Sequence, residues 1–336
     1  MNISKNALTM TLVGLLFGCG GGSDSETPSP QMATFNLGVS DNPADAQSVK
    51  IAFKQVVLKN NSGSYSFNVM PNGEHKVVDL LEFQGSAVET LVSGQSIAVG
   101  EYQMCIYIKN STVANGDSSH VQTMDGAMHG LVTNSNGSCG GVGAEDTDTG
   151  RLFFNQKFTI AAGVNSFVAE FDLHKGMQDP HGHMAYWTLK PTSVQMHNQA
   201  DVGSIKGVVG ASVMEGCEVA AGGSEFAPAV YLYPSNTSLL QMADFRASAN
   251  TATEIAPIAA ARVHESTDAN GQVVGHHYEF GFVVAGDYSL GYTCLAQNDD
   301  PDLSNSADDV SSPFFIYADE QAVAVMAKGV TEHHFP

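Results

Sequence analysis

The sequence predicts an all-β protein, with two tandem β-sandwich domains behind a short apolar leader and a flexible tether. Three observations carry that expectation. Apolar residues alternate with polar ones over many short runs, long helical periodicity is absent, and the intervening turns are rich in Gly, Asn, Asp and Ser. With 336 residues, the chain is long enough for two domains that each bury their own core.

The leader comes first. Residues 7–17 form a mainly apolar run behind Lys5, long enough for the core of a signal peptide and too short for a membrane span. It ends in Leu16-Phe17-Gly18-Cys19, which resembles the bacterial lipobox. That resemblance implies a lipoprotein signal peptide over residues 1–18, removed so that Cys19 becomes the lipidated first residue; a plain transmembrane anchor is the alternative. Residues 19–33, opening Gly20-Gly21-Gly22-Ser23-Asp24-Ser25, read as a tether that spans about 45 to 50 Å at full extension. Gly20 follows the cysteine where aspartate would be the retention signal, which by resemblance to the Gram-negative sorting pattern implies the outer membrane.

The formal charge of -21 excludes nucleic acid as a partner, because no basic stripe exists to replace phosphate counterions. It equally argues against attraction to an anionic bilayer, so membrane attachment falls to the lipid. The balance suits an exported protein, or one that collects cations.

Strands are expected in order along the body. Val49, Ile51 and Phe53 alternate, then the phase slips to Val56 and Leu58, which predicts a β-bulge near Gln55. Tyr65, Phe67 and Val69 make a second run; Tyr102, Met104, Ile106 and Ile108 a third; Phe167, Ala169, Phe171 and Leu173 a fourth. Residues 110–150 turn polar and glycine-rich, with Glu145, Asp146 and Asp148, and read as a long loop closed by Cys139. His197-Asn198-Gln199-Ala200-Asp201 has linker character, so the domains are expected at residues 34–199 and 203–336. A short helical turn is expected near Leu239 to Phe245.

Besides Cys19 the chain has Cys105, Cys139, Cys217 and Cys294, an even number that reads as two disulfides in an oxidising compartment. Three pairings are open. Given the boundary above, Cys105 with Cys139 and Cys217 with Cys294 keep each bridge inside one domain, and that pairing is expected. A four-thiolate zinc site is the alternative, but no C-x-x-C spacing supports it.

Two resemblances extend this reading. Leu37-Gly38-Val39-Ser40-Asp41-Asn42-Pro43, Val49-Lys50-Ile51-Ala52-Phe53, Val78-Asp79-Leu80-Leu81, Gly100-Glu101-Tyr102 and Phe171-Asp172-Leu173 before Leu189-Lys190-Pro191 follow the pattern of a bacterial lipoprotein family. Residues 34–199 resemble that family, the domain of unknown function 4382, with Ser40 and Asn42 where the family has Thr and Ala. The resemblance implies fold and location and no activity. Ile205-Lys206-Gly207-Val208-Val209, Ala229-Val230-Tyr231-Leu232-Tyr233 and Thr267-Asp268-Ala269-Asn270-Gly271 resemble transthyretin-like modules of the carboxypeptidase regulatory type. In that pattern residues 278–290 form a closing hairpin, Gly271 and Gly286 take positive φ, and Phe280, Tyr288 and Leu290 point inward. Such modules support or bind.

Candidate site residues are few. His181 and His183, with Met184, His174 and Met177, offer imidazoles and thioethers that suit copper; a polar hairpin loop is the plainer reading. Asp299, Asp300 and Asp302, with Asp308 and Asp309, offer carboxylates for calcium, without the spacing of a dedicated calcium loop. His276-His277 and His333-His334 read as exposed pairs. Tyr186 and Trp187 are adjacent on a strand, so one faces outward as a surface for sugar or protein unless the core takes Trp187. His264-Glu265-Ser266-Thr267-Asp268 begins like a zinc-protease motif but has Asp268 where the second histidine belongs, and no nucleophile elbow or phosphate loop appears. The leading expectation is a non-catalytic binding or structural lipoprotein of the outer membrane, with an envelope protein or glycan as partner and no cofactor. A copper- or calcium-binding protein is the alternative, and a hydrolase the third.

Overall fold

A computed structural model describes residues 30–42, 46–70, 73–139, 147–154, 156–223, 225–246, 248–301 and 313–336. Cys19, Pro43, Glu145, Asp146, Asp302, Asp308 and Asp309 lie outside the described residues.

The strands before residue 200 are β1 (Met32–Asn42), β2 (Ser48–Asn60), β3 (Gly63–Asn68), β4 (Lys76–Asp79), β5 (Glu89–Ala98), β6 (Gly100–Lys109), β7 (His120–Gln122), β8 (Met128–Val132), β9 (Thr149–Phe153), β10 (Phe158–Ile160), β11 (Val164–Asp172), β12 (Met177–Gln178), β13 (Trp187–Leu189) and β14 (Val194–Asn198). The one-turn helix α1 (Leu173–Gly176) joins β11 to β12. One sheet runs β14-β11-β1-β5, with β1 parallel to β11. The other runs β10-β6-β2-β7-β8-β13-β12, with β3 and β4 also on β2 and β9 on β6. Between them lies a core to which β1 gives Phe35, Leu37 and Val39, β2 gives Ile51, Phe53, Val56 and Leu58, and β6 gives Tyr102, Met104, Ile106 and Ile108. The alternation of the sequence is thus the alternation of one buried face. The register of β2 against β6 slips between Phe53 and Gln55, where the bulge was expected.

The outer face of this second sheet is also covered. Cys105 and Cys139 are bridged, and with Val57 and Tyr107 they form a separate buried cluster. Tyr107 donates to the Gly137 carbonyl at 3.2 Å, and Arg151 donates to the Ser138 carbonyl at 2.8 Å. The described parts of the polar excursion, residues 110–139 and 147–150, therefore cover a sheet, and they contribute β7 and β8 to it.

After residue 200 come β15 (Val202–Val208), the helix α2 (Ala211–Ala221), β16 (Ala229–Pro234), β17 (Ala259–Arg262), β18 (His264–Thr267), β19 (Val273–Val284), β20 (Gly286–Thr293), β21 (Ala318–Val325) and β22 (Val330–Glu332). They make two four-stranded sheets, β18-β19-β15-β22 and β17-β16-β20-β21. Ile205, Val230, Leu232, Tyr278, Phe280, Leu290 and Tyr292 fill the space between them. No described sheet mixes strands from the two sides of residues 199–201.

Three expectations need correction here. Residues 278–290 are not a hairpin: β19 pairs with β15 and β18, whereas β20 pairs with β16 and β21. Only Ala285 separates β19 from β20, so the chain turns a corner from one sheet to the other instead of folding back. Gly286 accordingly is not among the positive-φ glycines, although Gly271 is, at 79°. The helix α2 was not expected; it buries Cys217, bridged to Cys294, and packs Val213, Met214 and Ala221 on the second core. The expected turn near Leu239 is a 3-10 turn over Leu239–Gln241.

The two sandwiches pack directly on each other, and Gln31–Pro336 form a single compact unit. Val88 and Val168 from the first meet Val202 and Phe282 at the start of the second, and the His197 ring stacks on Phe282 at 6.4 Å. A Cβ on Gly281 would lie 1.9 Å from the Gly85 carbonyl oxygen, so two backbones touch at this seam. Beside the seam is a buried acidic group, Asp41 with Asp172. Burial raises the Asp41 carboxyl well above its ordinary range and the neighbouring charges of Asp172 and Glu170 add to it, with Gln84 and Arg262 opposing. Burial likewise raises Asp172, against a hydrogen bond from the Lys175 amide. Carboxyls raised in the fold contribute stability below about pH 4, and that contribution is lost as pH rises through their folded values. Asp41→Asn is therefore expected to raise the melting temperature at pH 7 and to leave it unchanged near pH 3, as a pair of calorimetric scans would report.

Candidate functional site

Where the sandwiches meet, the hairpin β12–β13 of the first faces the loop after β20 of the second. Asp172 caps α1 by accepting from the Lys175 amide at 3.1 Å, and this one turn aims His174 across the junction. Its ring lies 5.4 Å from that of Phe245, and its Nε2 is 3.3 Å from Asp299 Oδ2. Tyr231 donates to the same Oδ2 at 2.8 Å. The Asp299 side chain is 0% exposed, and its Oδ1 has no hydrogen-bond partner among the described residues. Burial, followed by the charges of Asp299 and Asp244, pushes the Tyr233 phenol well above its ordinary value. It stays a neutral donor, to the Ala243 carbonyl at 2.6 Å.

A cavity of about 390 Å³ opens here, lined from the first sandwich by His174, Met177, Trp187 and Lys190 and from the second by Asp299 and Asp300. Pairing of Met177 with Leu189 and of Gln178 with Thr188 holds Trp187 at the edge of the hairpin. Trp187 is half-buried: it packs on the core of the first sandwich and also lines the cavity. Its Nε1 is buried without a hydrogen-bond partner among the described residues. Buried donors and acceptors are nearly always satisfied in folded proteins, so Trp187 Nε1 and Asp299 Oδ1 are exceptions at this junction.

The structure thus joins residues that lie far apart in the sequence, the His174 segment and the Asp299 segment. It does not join all of the sequence candidates. His181 and His183 are exposed on the β12–β13 loop, with His181 Nδ1 3.1 Å from the Asp179 carbonyl, and neither lines the cavity. Met184 and Tyr186 are half-buried on the same loop. Among the described residues no group of three or more His, Cys, Asp or Glu side chains is placed to hold a metal ion. No helix among them is long and apolar enough to cross a membrane.

A second groove, of about 460 Å³, lies on the outer face of the sheet β18-β19-β15-β22, where His264, His277 and His334 converge. Sequence reasoning missed it because the three come from two strands and the C-terminal segment, and only the register aligns them. The signal available was the alternation of His277 with Tyr278 and Glu279, which puts His277 on the face opposite the buried Tyr278.

Residues 32–191 match the Domain of unknown function (DUF4382) family model. The DUF4382 segment covers nearly all of the first sandwich, and the description of that family assigns no activity. No curated protein matches the chain in sequence. Among solved structures, similarity is found to a leucine-rich repeat protein from Bacteroides thetaiotaomicron, with 10% identity over 91% of this chain and a TM-score of 0.19. This chain spans only 26% of that protein. A candidate cell-adhesion protein from Bacteroides fragilis gives 10% identity, 90% and 92% coverage of the two chains and a TM-score of 0.19. A candidate adhesin from Bacteroides ovatus gives 10% identity, 80% and 74% coverage and a TM-score of 0.18. At these TM-scores the three similarities carry no argument about function.

Proposed function

We propose that the chain is a non-catalytic binding lipoprotein, held at the outer membrane by an acylated Cys19, whose ligand is a saccharide seated in the junction cavity. The observation that carries this reading is the cavity itself, built by both sandwiches around a half-buried tryptophan. Its volume lies within the ordinary range of ligand pockets, roughly 300 to 1,000 Å³. Sugars present an apolar C–H face and a ring of hydroxyls. Trp187 offers a flat amphipathic surface to the first, while the Asp300 carboxylate, the Lys190 ammonium and the His174 imidazole, held in place by the buried Asp299, can bond the second. The acidic balance of the chain favours neutral or amino sugars over acidic ones.

Two experiments test the two parts of this reading. Cys19→Ala is expected to move the protein from the membrane fraction to the soluble one; retention in the membrane would place the anchor elsewhere. On an oligosaccharide array, the wild-type chain is expected to bind a subset of glycans and Trp187→Ala to lose them. Equal binding by that variant would remove the cavity from the account.

A further inference from the structure

We infer that His264 and His277 form a surface site for a divalent transition-metal ion, with His334 as its outer partner. This site is separate from the junction cavity and does not depend on it.

The argument begins with register. His264 on β18 stands directly opposite His277 on β19, and His277 stands opposite Val208 on β15. Directly opposed residues of antiparallel strands put their Cβ atoms about 4.5 to 5.5 Å apart on the same face, close enough for two imidazoles to share one ion. Beyond Val208, the C-terminal segment runs alongside β15, and the Val208 amide donates to His334 Nδ1 at 3.1 Å. The three histidines therefore form one row across the outer face, and all three line the same groove.

The backbone leaves room for this arrangement. A Cβ on Gly275 would lie 2.9 Å from His277 Nε2, so the ring sits in space that glycine leaves open. The amide bond into His334 Nδ1 places that ring's proton on Nε2. His334 is thus set to donate toward the groove, to a water or anion on an open coordination position, and not to ligate. Glu279 and Glu332 line the groove as well and lend negative charge, although Glu332 also pairs with Lys206 at 3.1 Å. Two imidazoles with water completing the shell suit zinc, copper or nickel and not the hard cations calcium and magnesium.

The test uses the full chain without an affinity tag, purified in detergent, treated with chelator and titrated calorimetrically with Zn²⁺ and separately with Cu²⁺. One equivalent of metal is expected to bind. His264→Ala and His277→Ala are each expected to abolish that equivalent, and His334→Ala to weaken it about tenfold, as loss of an outer-shell partner does. Melting temperatures of the metal-free variants, expected to match the wild type, separate loss of the site from loss of the fold. Copper electron paramagnetic resonance is expected to show two nitrogen ligands in the wild type. Failure of the wild type to bind metal would overturn the inference. So would retention of wild-type affinity by the His264→Ala, His277→Ala double variant, including the case in which binding follows His181 and His183.

Discussion

Gly281→Ala is expected to separate the two sandwiches thermally, so that one cooperative unfolding transition becomes two and the first falls below the wild-type melting temperature. The physical reason is a contact between backbones. An added Cβ would stand 1.9 Å from the Gly85 oxygen, 2.3 Å from the Gly85 carbonyl carbon and 2.7 Å from the Ser86 amide nitrogen. None of these atoms can rotate away, because they belong to a tight turn in which Gly85 itself has φ of 60°. Either the turn retreats or β19 shifts, and in both cases Val88 and Phe282 lose their packing. Overpacking of this kind costs about 3 kcal/mol, which for a single sandwich of about 150 residues lowers its melting temperature by roughly 6 to 12 °C. The loss should fall on the junction, so ligand binding in the cavity should weaken with it. A single transition at the wild-type temperature would show that the seam does not couple the sandwiches.

The second large effect is expected from the Cys217–Cys294 bridge, which closes a sequence separation of 77 residues. In the chain-entropy account, opening a loop of that length costs about 4 to 5 kcal/mol. The double variant Cys217→Ser, Cys294→Ser is expected to lose stability by that amount in denaturant titration. It should also release α2, whose only buried residue is Cys217, so that the amides of Ala211–Ala221 exchange faster than the strands around them. The Cys105–Cys139 bridge, with a separation of 34, should cost slightly less, and its loss should loosen the cover over Tyr107 instead of the sandwich core. Equal stability of either double variant and the wild type would contradict this division of roles.

Much of the fold was legible because it is written in alternation. β1, β2, β6 and β11 each bury every second residue against one core, and even the slip near Gln55 survives as a register shift. The corner between β19 and β20 was not legible, because two apolar runs joined by a short turn look the same whether they pair or part. α2 was hidden for another reason: its inward stripe of Val213, Met214, Cys217 and Ala221 is short and broken by Gly216, so it does not stand out from the turns around it. The candidate site was half legible. His174 and Trp187 stood out by residue type and so did the aspartates near residue 300, but nothing local could say that a one-turn helix aims the first at the second. The histidine groove is harder still, since it depends on which strands are neighbours and by how many residues they are offset.

Trp187 is the only tryptophan of the chain and lines the junction cavity, so its emission reports on the central claim without a label. The measurement is a fluorescence titration of the wild-type chain with a panel of neutral, amino and acidic oligosaccharides, repeated on Asp300→Asn, whose exposed side chain lines the cavity. A saturable change in emission with a neutral or amino sugar, weakened in the variant, is the expected result. Emission that stays constant across the panel, or a glycan that binds with Trp187 undisturbed, would contradict a saccharide site at the junction.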